Sequence, residues 1–403
     1  MTVESDRSGR VRSAVGLARF LRGSGAMSRD WADAFAAVPR EVFLPDLMWP
    51  YDMDTGASRS VDRRTDPVAW ERAAYANVPI TTQWDDGQHT GPGPGPGRVP
   101  TSSASMPSVV TRMLADLDVR PGARVLEIGT GTGWNAGLLA ERLGERSVVT
   151  VEVDERVAAR ARAALGSLGL YPEVVCADGR WGHPAGAPYD RVIVTAGVRG
   201  FPPAWLAQTR TGGVILAPWG THYSHEDALV RLTVAEDGSA SGPFLRPLEF
   251  MKIRAQRLDW RRFAGHVGAY PGDAAASVTS VPLAELGEGR PFRGARFVLG
   301  LCVPECAQVL NTGEGEATLW FFDMTEGSRA WASVRFRDGE REATVHQWGP
   351  RRLWDEVARA LAWWRERGRP GVDAFGLTVT PEGVCRPWCG DPGSPVPSFG
   401  GGG

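Results

Sequence analysis

Val125-Leu126-Glu127-Ile128-Gly129-Thr130-Gly131-Thr132-Gly133-Trp134 is the stretch on which the reading of the fold turns. Residues suited to a buried strand run into a glycine-rich turn, and Asn135–Arg142 then reads as a helix. Glycine lets the backbone pass close to a ligand, and the first N–H groups of a helix have no partner within it. The spacing Gly129-x-Gly131-x-Gly133 is not the dinucleotide fingerprint G-x-G-x-x-G. The Lys and Ser/Thr of a phosphate loop are also missing, so nothing here favours pyrophosphate.

Roughly 20 residues further on, a second strand ends in Val149-Thr150-Val151-Glu152-Val153-Asp154. An acid at that end of strand two can accept from both ribose hydroxyls. After a third strand comes Cys176-Ala177-Asp178-Gly179, where a carboxylate can accept from an adenine amino group. Each acid alone reads as a solvated loop residue. The glycine turn and the two acids make three sites in order, each following its own strand, and point to a nucleoside-type cofactor at the carboxyl edge of a sheet.

The surrounding rhythm agrees. Strands are expected at Arg124–Ile128, Ser147–Val151, Glu173–Val175, Arg191–Val194 and Val214–Pro218, with helices between them such as Glu155–Leu168. That alternation implies right-handed crossovers and an α/β, doubly wound parallel sheet. Ala228–Val234 is expected as an antiparallel strand at its edge.

This gives a core over residues 101–245. Before it, residues 1–50 form an N-terminal helical segment, with Trp31, Phe35 and Val38 at helical spacing and Pro39 as the stop. Residues 51–100 read as a loop or flap insertion containing Gly91-Pro92-Gly93-Pro94-Gly95-Pro96-Gly97, which supports neither helix nor ladder. Residues 246–390 read as an additional small α+β C-terminal domain, with short strands at Ala295–Leu301, Thr318–Phe322 and Ala332–Arg337 and a helix at Leu353–Arg367. A low-complexity tail over 391–403 is expected to be disordered. No internal repeat is evident.

Composition narrows the function. A net charge of −2 and a pI near 6.4 give no global attraction to phosphate polymers or anionic membranes, so neither nucleic acid nor membrane is expected as a partner. Residues 1–10 lack the apolar core of a secretory signal, and no run approaches the ~18 apolar residues of a membrane span, which reads as cytoplasmic. Five cysteines do not make a disulfide scaffold, and Cys302-x3-Cys306 and Cys385-x3-Cys389 are spaced more widely than the usual zinc pairs; no metal is expected. Sixteen Trp against six Tyr fit core and boundary packing, with aromatic binding surfaces as the alternative. His89 and His183 lie in loops near the candidate site segments and are read as solvated, while His222 and His225 follow the fifth strand and are assigned no role.

Four segments together carry a resemblance: VLEIGTGTGWNAGLLA, VEVDERVAARA, VVCADGRWG and YDRVIVTAGVRGFPPAWLAQTRTGGVILAPWG. They resemble the protein-L-isoaspartate O-methyltransferase family over roughly residues 17–235. The resemblance implies a Rossmann-like enzyme dependent on S-adenosylmethionine (SAM) that esterifies isoaspartyl carboxylates. By position, Glu127, Gly129, Thr130, Gly131 and Gly133 would surround the amino-acid part of SAM. Glu152 and Val153 would hold the ribose, Asp178 and Gly179 would flank the adenine, and Thr195 is a further candidate cofactor residue.

The family also carries Thr-Ile-Ser-Ala-Pro-His-Met before the first strand, covering SAM and touching the substrate carboxylate. Here the stretch is Thr101-Ser102-Ser103-Ala104-Ser105-Met106-Pro107, with Ser105 in place of the proline and no histidine. Thr101, Ser102 and Ser103 are the candidate catalytic residues. A carboxylate is already ionised at neutral pH and needs no activating base, which suits hydroxyl donors and the absence of a Ser/His/Asp set.

Because the chain continues well beyond such a core, it resembles divergent actinobacterial homologues that methylate an aspartate of a cyclised ribosomal peptide, the lanthipeptides and graspetides, where the ester collapses to an aspartimide. The expected partner is a peptide or protein bearing an aspartyl or isoaspartyl carboxylate. General isoaspartyl repair is the alternative, and a non-catalytic SAM-fold binding module is a third reading, opposed by the intact Gly129–Gly133, Glu152 and Asp178.

Overall fold

The structure, a computed structural model, describes residues 13–89, 95–258, 265–289 and 292–400. Residues 1–12, the Gly91–Pro94 part of the Gly-Pro run and the last three glycines of the tail lie outside the described residues. The chain divides into two units, Met1–Thr195 with Ala204–Leu216, and Ala196–Pro203 with Ala217–Gly403. The divide thus falls in the loop after the fourth parallel strand and again between Leu216 and Ala217, near the end of the fifth, where a boundary at residue 245 was expected.

The first unit opens with helices α1 (Ala14–Gly23) and α2 (Ala32–Ala37). Ser13 caps α1 by accepting from Gly16 N–H at 3.2 Å. Trp31, Phe35 and Val38 are buried, as helical spacing requires of one face.

The stretch expected to be a loop or flap is instead a small antiparallel sheet. Strands β1 (Leu47–Asp52), β2 (Ala57–Ser58) and β3 (Val61–Asp62) are followed by helix α3 (Pro67–Ala74), β4 (Ile80–Trp84) and β5 (Pro100–Ala104). The order is β2-β1-β4-β5, with β3 paired to β1. Its core is Leu44, Met48, Trp70, Ala74, Ile80 and Ala104. These strands are short, and Pro50 interrupts the first, so no alternating pattern announces them.

Next come α4 (Pro107–Leu117), β6 (Val125–Ile128), α5 (Trp134–Leu143), β7 (Val148–Glu152), α6 (Glu155–Ser167), β8 (Glu173–Cys176), β9 (Tyr189–Val194), α7 (Pro203–Ala207) and β10 (Thr209–Trp219). The strands are parallel, in the order β10-β9-β6-β7-β8. Apolar residues of β6, β7 and β9 are buried, as a sheet covered on both faces requires. This is the expected α/β, doubly wound arrangement, and it puts the switch of direction between β6 and β9.

In the second unit β11 (Asp227–Val234), β12 (Ala240–Leu248), β18 (Phe375–Val379) and β19 (Cys385–Cys389) pair antiparallel in that order. The expected edge strand Ala228–Val234 is therefore β11, with further strands laid beside it. Between β12 and β18 the chain builds a second antiparallel sheet, β13-β17-β16-β15-β14, from β13 (Ala275–Thr279), β14 (Cys306–Gly313), β15 (Glu316–Asp323), β16 (Trp331–Arg337) and β17 (Ala343–Trp348). Helices α8 (Ala295–Cys302) and α9 (Leu353–Glu366) complete it.

Two further expectations are corrected here. Ala295–Leu301 is helix, not strand: a short run apolar on every side suits a buried helix as well as a buried strand, and α8 is buried along nearly all its length. Residues 390–400 are not disordered. Phe399 N–H donates to Cys302 O at 2.8 Å, Val396 N–H to Pro387 O at 3.0 Å, and Arg359 lies over the Phe399 ring. Composition hid these specific contacts. Among the described residues no helix is long and apolar enough to cross a membrane.

Candidate active site

In a doubly wound sheet, ligands gather outside the carboxyl ends of the strands, at the switch point. Here that edge is the turn after β6, flanked by the ends of β7 and β9. Gly129 N–H and Thr130 N–H both donate to Val151 O, at 2.9 and 3.2 Å, which lashes the turn to β7. Gly131 has φ 54° and Gly133 has φ 93°, the left-handed region that glycine enters without penalty. A methyl on Gly133 would stand 3.1 Å from Ala161 Cβ, so this glycine lets α5 and α6 approach closely.

Glu152 closes the turn from the end of β7. Its Oε2 accepts from Gly131 N–H at 2.9 Å and its Oε1 from Asp154 N–H at 3.1 Å. Half-buried at the strand's end, the carboxylate keeps further lone pairs for a ligand. Val153, the next residue, is exposed in the turn before α6.

Glu127, expected beside the cofactor's amino-acid part, has no exposure at all. Thr150 Oγ1 donates to its Oε2 at 2.6 Å and Asn135 Nδ2 to its Oε1 at 2.7 Å, while Thr130 and Thr150 share a hydroxyl bond of 2.7 Å. Burial raises its carboxyl to about 7, outweighing those two donors, with the nearby Glu152 charge adding to the rise. Glu127 therefore braces β6, β7 and α5 under the turn and presents no oxygen to the edge, a correction to its expected place.

Asp178 caps the short turn after β8. Its Oδ1 accepts from Arg180 N–H at 2.9 Å and its Oδ2 from Arg180 Nε and Nη2 at 2.9 and 2.7 Å. The Arg180 hydrogen bonds hold this carboxyl below its ordinary range. A methyl on Gly179 would meet Ile128 Cγ2 at 2.8 Å, so only glycine lets the turn lie against the end of β6. Thr195, at the end of β9, donates its hydroxyl to Gly129 O at 2.5 Å and Ile128 O at 3.1 Å.

The three expected hydroxyls differ in their surroundings. Thr101 Oγ1 donates to Gln83 Oε1 at 2.8 Å and accepts from Asp86 N–H at 3.1 Å; Gln83 Nε2 in turn reaches Asp154 Oδ2 at 3.2 Å. Ser102 is buried and accepts from Thr82 Oγ1 at 3.3 Å. Ser103 has no side-chain hydrogen bond among the described residues, and its carbonyl oxygen would stand 3.6 Å from a methyl on Gly131. So β5 lies over the glycine turn, with Ser103 as its free hydroxyl.

One residue that the sequence did not single out holds this cover in place. Arg40 is buried and spreads its guanidinium over five carbonyls: Ala74, Ala76, Val78, Ala104 and Ser105, at 3.0–3.1 Å. Burial lowers its affinity for its proton, to about 9. It ties the end of α3, the approach to β4 and the end of β5 to one point. No local pattern marks it, because its acceptors are backbone atoms 34–65 residues away. Gln83, the link from Thr101 to Asp154, is equally silent in sequence.

A family model described as Protein-L-isoaspartate(D-aspartate) O-methyltransferase (PCMT) matches residues 52–256. A protein-L-isoaspartate O-methyltransferase of Ignicoccus hospitalis is 32% identical over 205 residues, 50% of this chain and 79% of that protein. One from Methanoregula boonei is 31% identical over 271 residues, 67% of this chain and 98% of the relative. A solved structure of a protein-L-isoaspartate O-methyltransferase shares the fold with a TM-score of 0.51 at 21% identity, covering 94% of this chain and all of that one. The chain belongs to the protein-L-isoaspartate O-methyltransferase family.

Proposed function

We propose that this chain transfers a methyl group from S-adenosylmethionine to the side-chain carboxylate of isoaspartyl residues in polypeptides. The observation that carries the reading is the pairing of Glu152 with Gly131 beneath the Ser103 strand. It joins an acid at the end of the second parallel strand, a left-handed glycine turn and a free hydroxyl.

The donor set suits the cofactor. Glu152 offers carboxylate lone pairs to ribose hydroxyls, Asp178 stands at the end of the next strand for an adenine amino group, and Gly131 leaves its Cβ position empty beside β5. Val153 and Thr195 complete the edge. When bound, SAM supplies an electrophilic methyl on a sulfonium. The substrate carboxylate oxygen bonds to the methyl carbon as the carbon–sulfur bond breaks, leaving a methyl ester and S-adenosylhomocysteine, with no proton transferred.

Attack by an anion on a cation neutralises both charges, so water, which favours the separated ions, raises the barrier. The task of the protein is to exclude water and to align oxygen, methyl and sulfur. The Ser103 hydroxyl orients the carboxylate by one neutral hydrogen bond, without the strong pull of a guanidinium. Arg40 and the Thr101–Gln83–Asp154 chain keep β5 over the turn.

The test is incubation with methyl-labelled SAM and a short isoaspartyl peptide, scored as base-labile methyl ester. Label in the isoaspartyl peptide and none in its aspartyl counterpart is the expected result; no label in either refutes the reading. Glu152→Ala is expected to weaken SAM at least ~10-fold in calorimetry, from loss of charged hydrogen bonds.

One observation favours a second reading. Ser105-Met106-Pro107 departs from the family's stretch after Ala104, and the departure lies where β5 hands over to α4, next to Ser103. Altered contacts there suit a dedicated substrate, an aspartate of a cyclised ribosomal peptide, whose methyl ester the following backbone nitrogen attacks to give an aspartimide. Indifference to the isoaspartyl peptide, with methylation of an aspartyl residue in a constrained peptide, selects this reading.

A further inference from the structure

The second unit holds a cavity of about 440 Å³ that the reaction above does not use, and every residue lining it belongs to that unit. A few hundred Å³ is the volume of a small-molecule site. Arg199, His222 and Glu305 bring polar groups to it, and Ala255, Leu258 and Met324 apolar ones. The Gln256 side chain is spent on the wall itself: Oε1 accepts from Arg199 N–H at 2.6 Å and Gly200 N–H at 3.3 Å, and Nε2 donates to Gly200 O at 3.0 Å.

Arg199 is anchored at one edge of its guanidinium only. Nε donates to Gln256 O at 3.2 Å and Nη1 to Thr221 O, while Trp219 Nε1 holds the Arg199 carbonyl at 3.1 Å. Nη2 has no partner among the described residues.

Glu305 supplies the opposite charge. Its φ of 51° is a left-handed backbone that a residue with a side chain adopts only where its surroundings impose it. Those surroundings are a clamp. The Glu305 carbonyl accepts from Met324 N–H at 2.8 Å and from Arg351 Nη1 at 2.9 Å. Arg351 also binds Pro304 O at 3.1 Å and is itself fixed by Asp323 and Glu356, each at 2.6 Å. Set against two acids of its own, Arg351 has no charge left for the Glu305 carboxylate. Among the described residues that carboxylate meets only His222, whose Nδ1 lies 3.6 Å from Oε2. Burial, reinforced by Arg199 and Lys252, drops the His222 pKa to about 4, so at neutral pH it brings no charge.

The two charges therefore balance without meeting. Thr221, whose carbonyl receives Arg199, is joined directly to His222, which faces Glu305, so both charged groups flank one short stretch of chain. Yet Arg199 and Glu305 form no ion pair with each other among the described residues. Arg257 donates Nε to Lys252 O at 3.4 Å and has a further partner, and Lys252 is consumed in a buried pair with Asp227, so neither enters the balance. A lone anion is opposed by Glu305 and a lone amine by Arg199. A molecule with a carboxylate and an ammonium on one carbon atom satisfies both, each through charge-assisted hydrogen bonds. With the Gln256 amide spent, Ala255, Leu258 and Met324 are left to receive a hydrocarbon side chain.

We propose that this cavity binds a free, zwitterionic α-amino acid with an apolar side chain, its carboxylate on Arg199 and its ammonium on Glu305. The inference goes beyond the methyl-transfer reading and needs neither SAM nor a polypeptide.

The test is isothermal titration calorimetry of the full chain with L-leucine, N-acetyl-L-leucine and L-leucinamide, in excess S-adenosylhomocysteine so that the proposed cofactor site is not read. Leucine is expected to bind, and each derivative, lacking one of the two charges, to bind at least ~10-fold more weakly, the scale of one charge-assisted hydrogen bond. Arg199→Gln and Glu305→Gln are each expected to weaken leucine to the same degree. Glu305→Gln, which removes a repelling charge, is also expected to bind N-acetyl-leucine more tightly than the wild type does. No binding of leucine at ~10 mM, where even a millimolar site fills, overturns the proposal. So does a derivative that binds as tightly as leucine, or leucine affinity unchanged in either variant. If a variant does not fold by circular dichroism, the three ligands on the wild type decide.

Discussion

Thr150 donates its hydroxyl to Glu127 at 2.6 Å, binding the second parallel strand to a carboxyl that water does not reach, directly under the glycine turn. Because burial raises this carboxyl from 4.5 to about 7, the folded chain keeps a proton that the unfolded chain releases between those values. Stability is therefore lost as pH rises from about 4.5 to 7 and is level above, the reverse of a salt-bridged acid. The loss is of the order of 3 kcal/mol, from about 1.4 kcal/mol for each pH unit of the interval. In thermal melts, Glu127→Gln is expected to gain on the wild type across that window and to run parallel to it above pH ~7.5. Parallel curves throughout would mean that Glu127 is ionised in the fold.

Ser103 and Thr101 sit two residues apart on one strand and are expected to fail differently. Ser103→Ala removes a hydroxyl that bonds no side chain or backbone group among the described residues, so turnover should fall ~10-fold or more with SAM affinity within about twofold, as for a single donor acting in the transition state. Thr101→Val cuts the link to Gln83 and Asp154 and should weaken SAM binding along with turnover. Steady-state kinetics beside SAM calorimetry separates them, and unchanged turnover in Ser103→Ala removes that residue from the site.

Arg40→Lys keeps the charge but replaces a fork serving five carbonyls by an ammonium with three protons. At least two buried acceptors lose their partners, so unfolding stability should fall by about 3 kcal/mol. A denaturation midpoint equal to that of the wild type refutes the role. Because β5 is one of the tethered segments, turnover at saturating SAM should also fall.

The difference between Glu127 and Arg40 shows what the chain discloses of itself. Glu127, Glu152, Asp178 and the three glycines are legible because strand, turn and helix are local patterns, each repeated in order along the sheet. The small sheet of β1–β5 is not legible, since its strands are only two to six residues long and its register depends on pairings such as Thr81 with Ser103. Arg40 and most of the Arg351 clamp are invisible for a related reason: apart from Glu356, five residues on from Arg351, their acceptors are carbonyls and an acid distant in sequence. Even the nature of the Glu127 site, a buried brace rather than an open contact, depends on Thr150 and Asn135 converging from two other elements.

Gly131 and Gly133 belong to one motif yet are expected to separate stability from binding. Gly133→Ala forces a side chain into φ 93° and drives a methyl to 3.1 Å from Ala161, where helix α6 must shift. A cost of about 2–3 kcal/mol in folding follows from strain plus overpacking. Gly131→Ala sits at φ 54°, near the left-handed well, and meets only ordinary contact with Ser103 O, so its folding cost is about 1 kcal/mol. Its methyl, however, projects from the turn that we propose lies against the cofactor. SAM affinity should therefore fall at least ~10-fold, equivalent to about 1.4 kcal/mol, in a protein that melts close to the wild type. Calorimetry and melting curves on both variants decide the matter: if Gly131→Ala binds SAM as the wild type does, the cofactor does not lie against that turn.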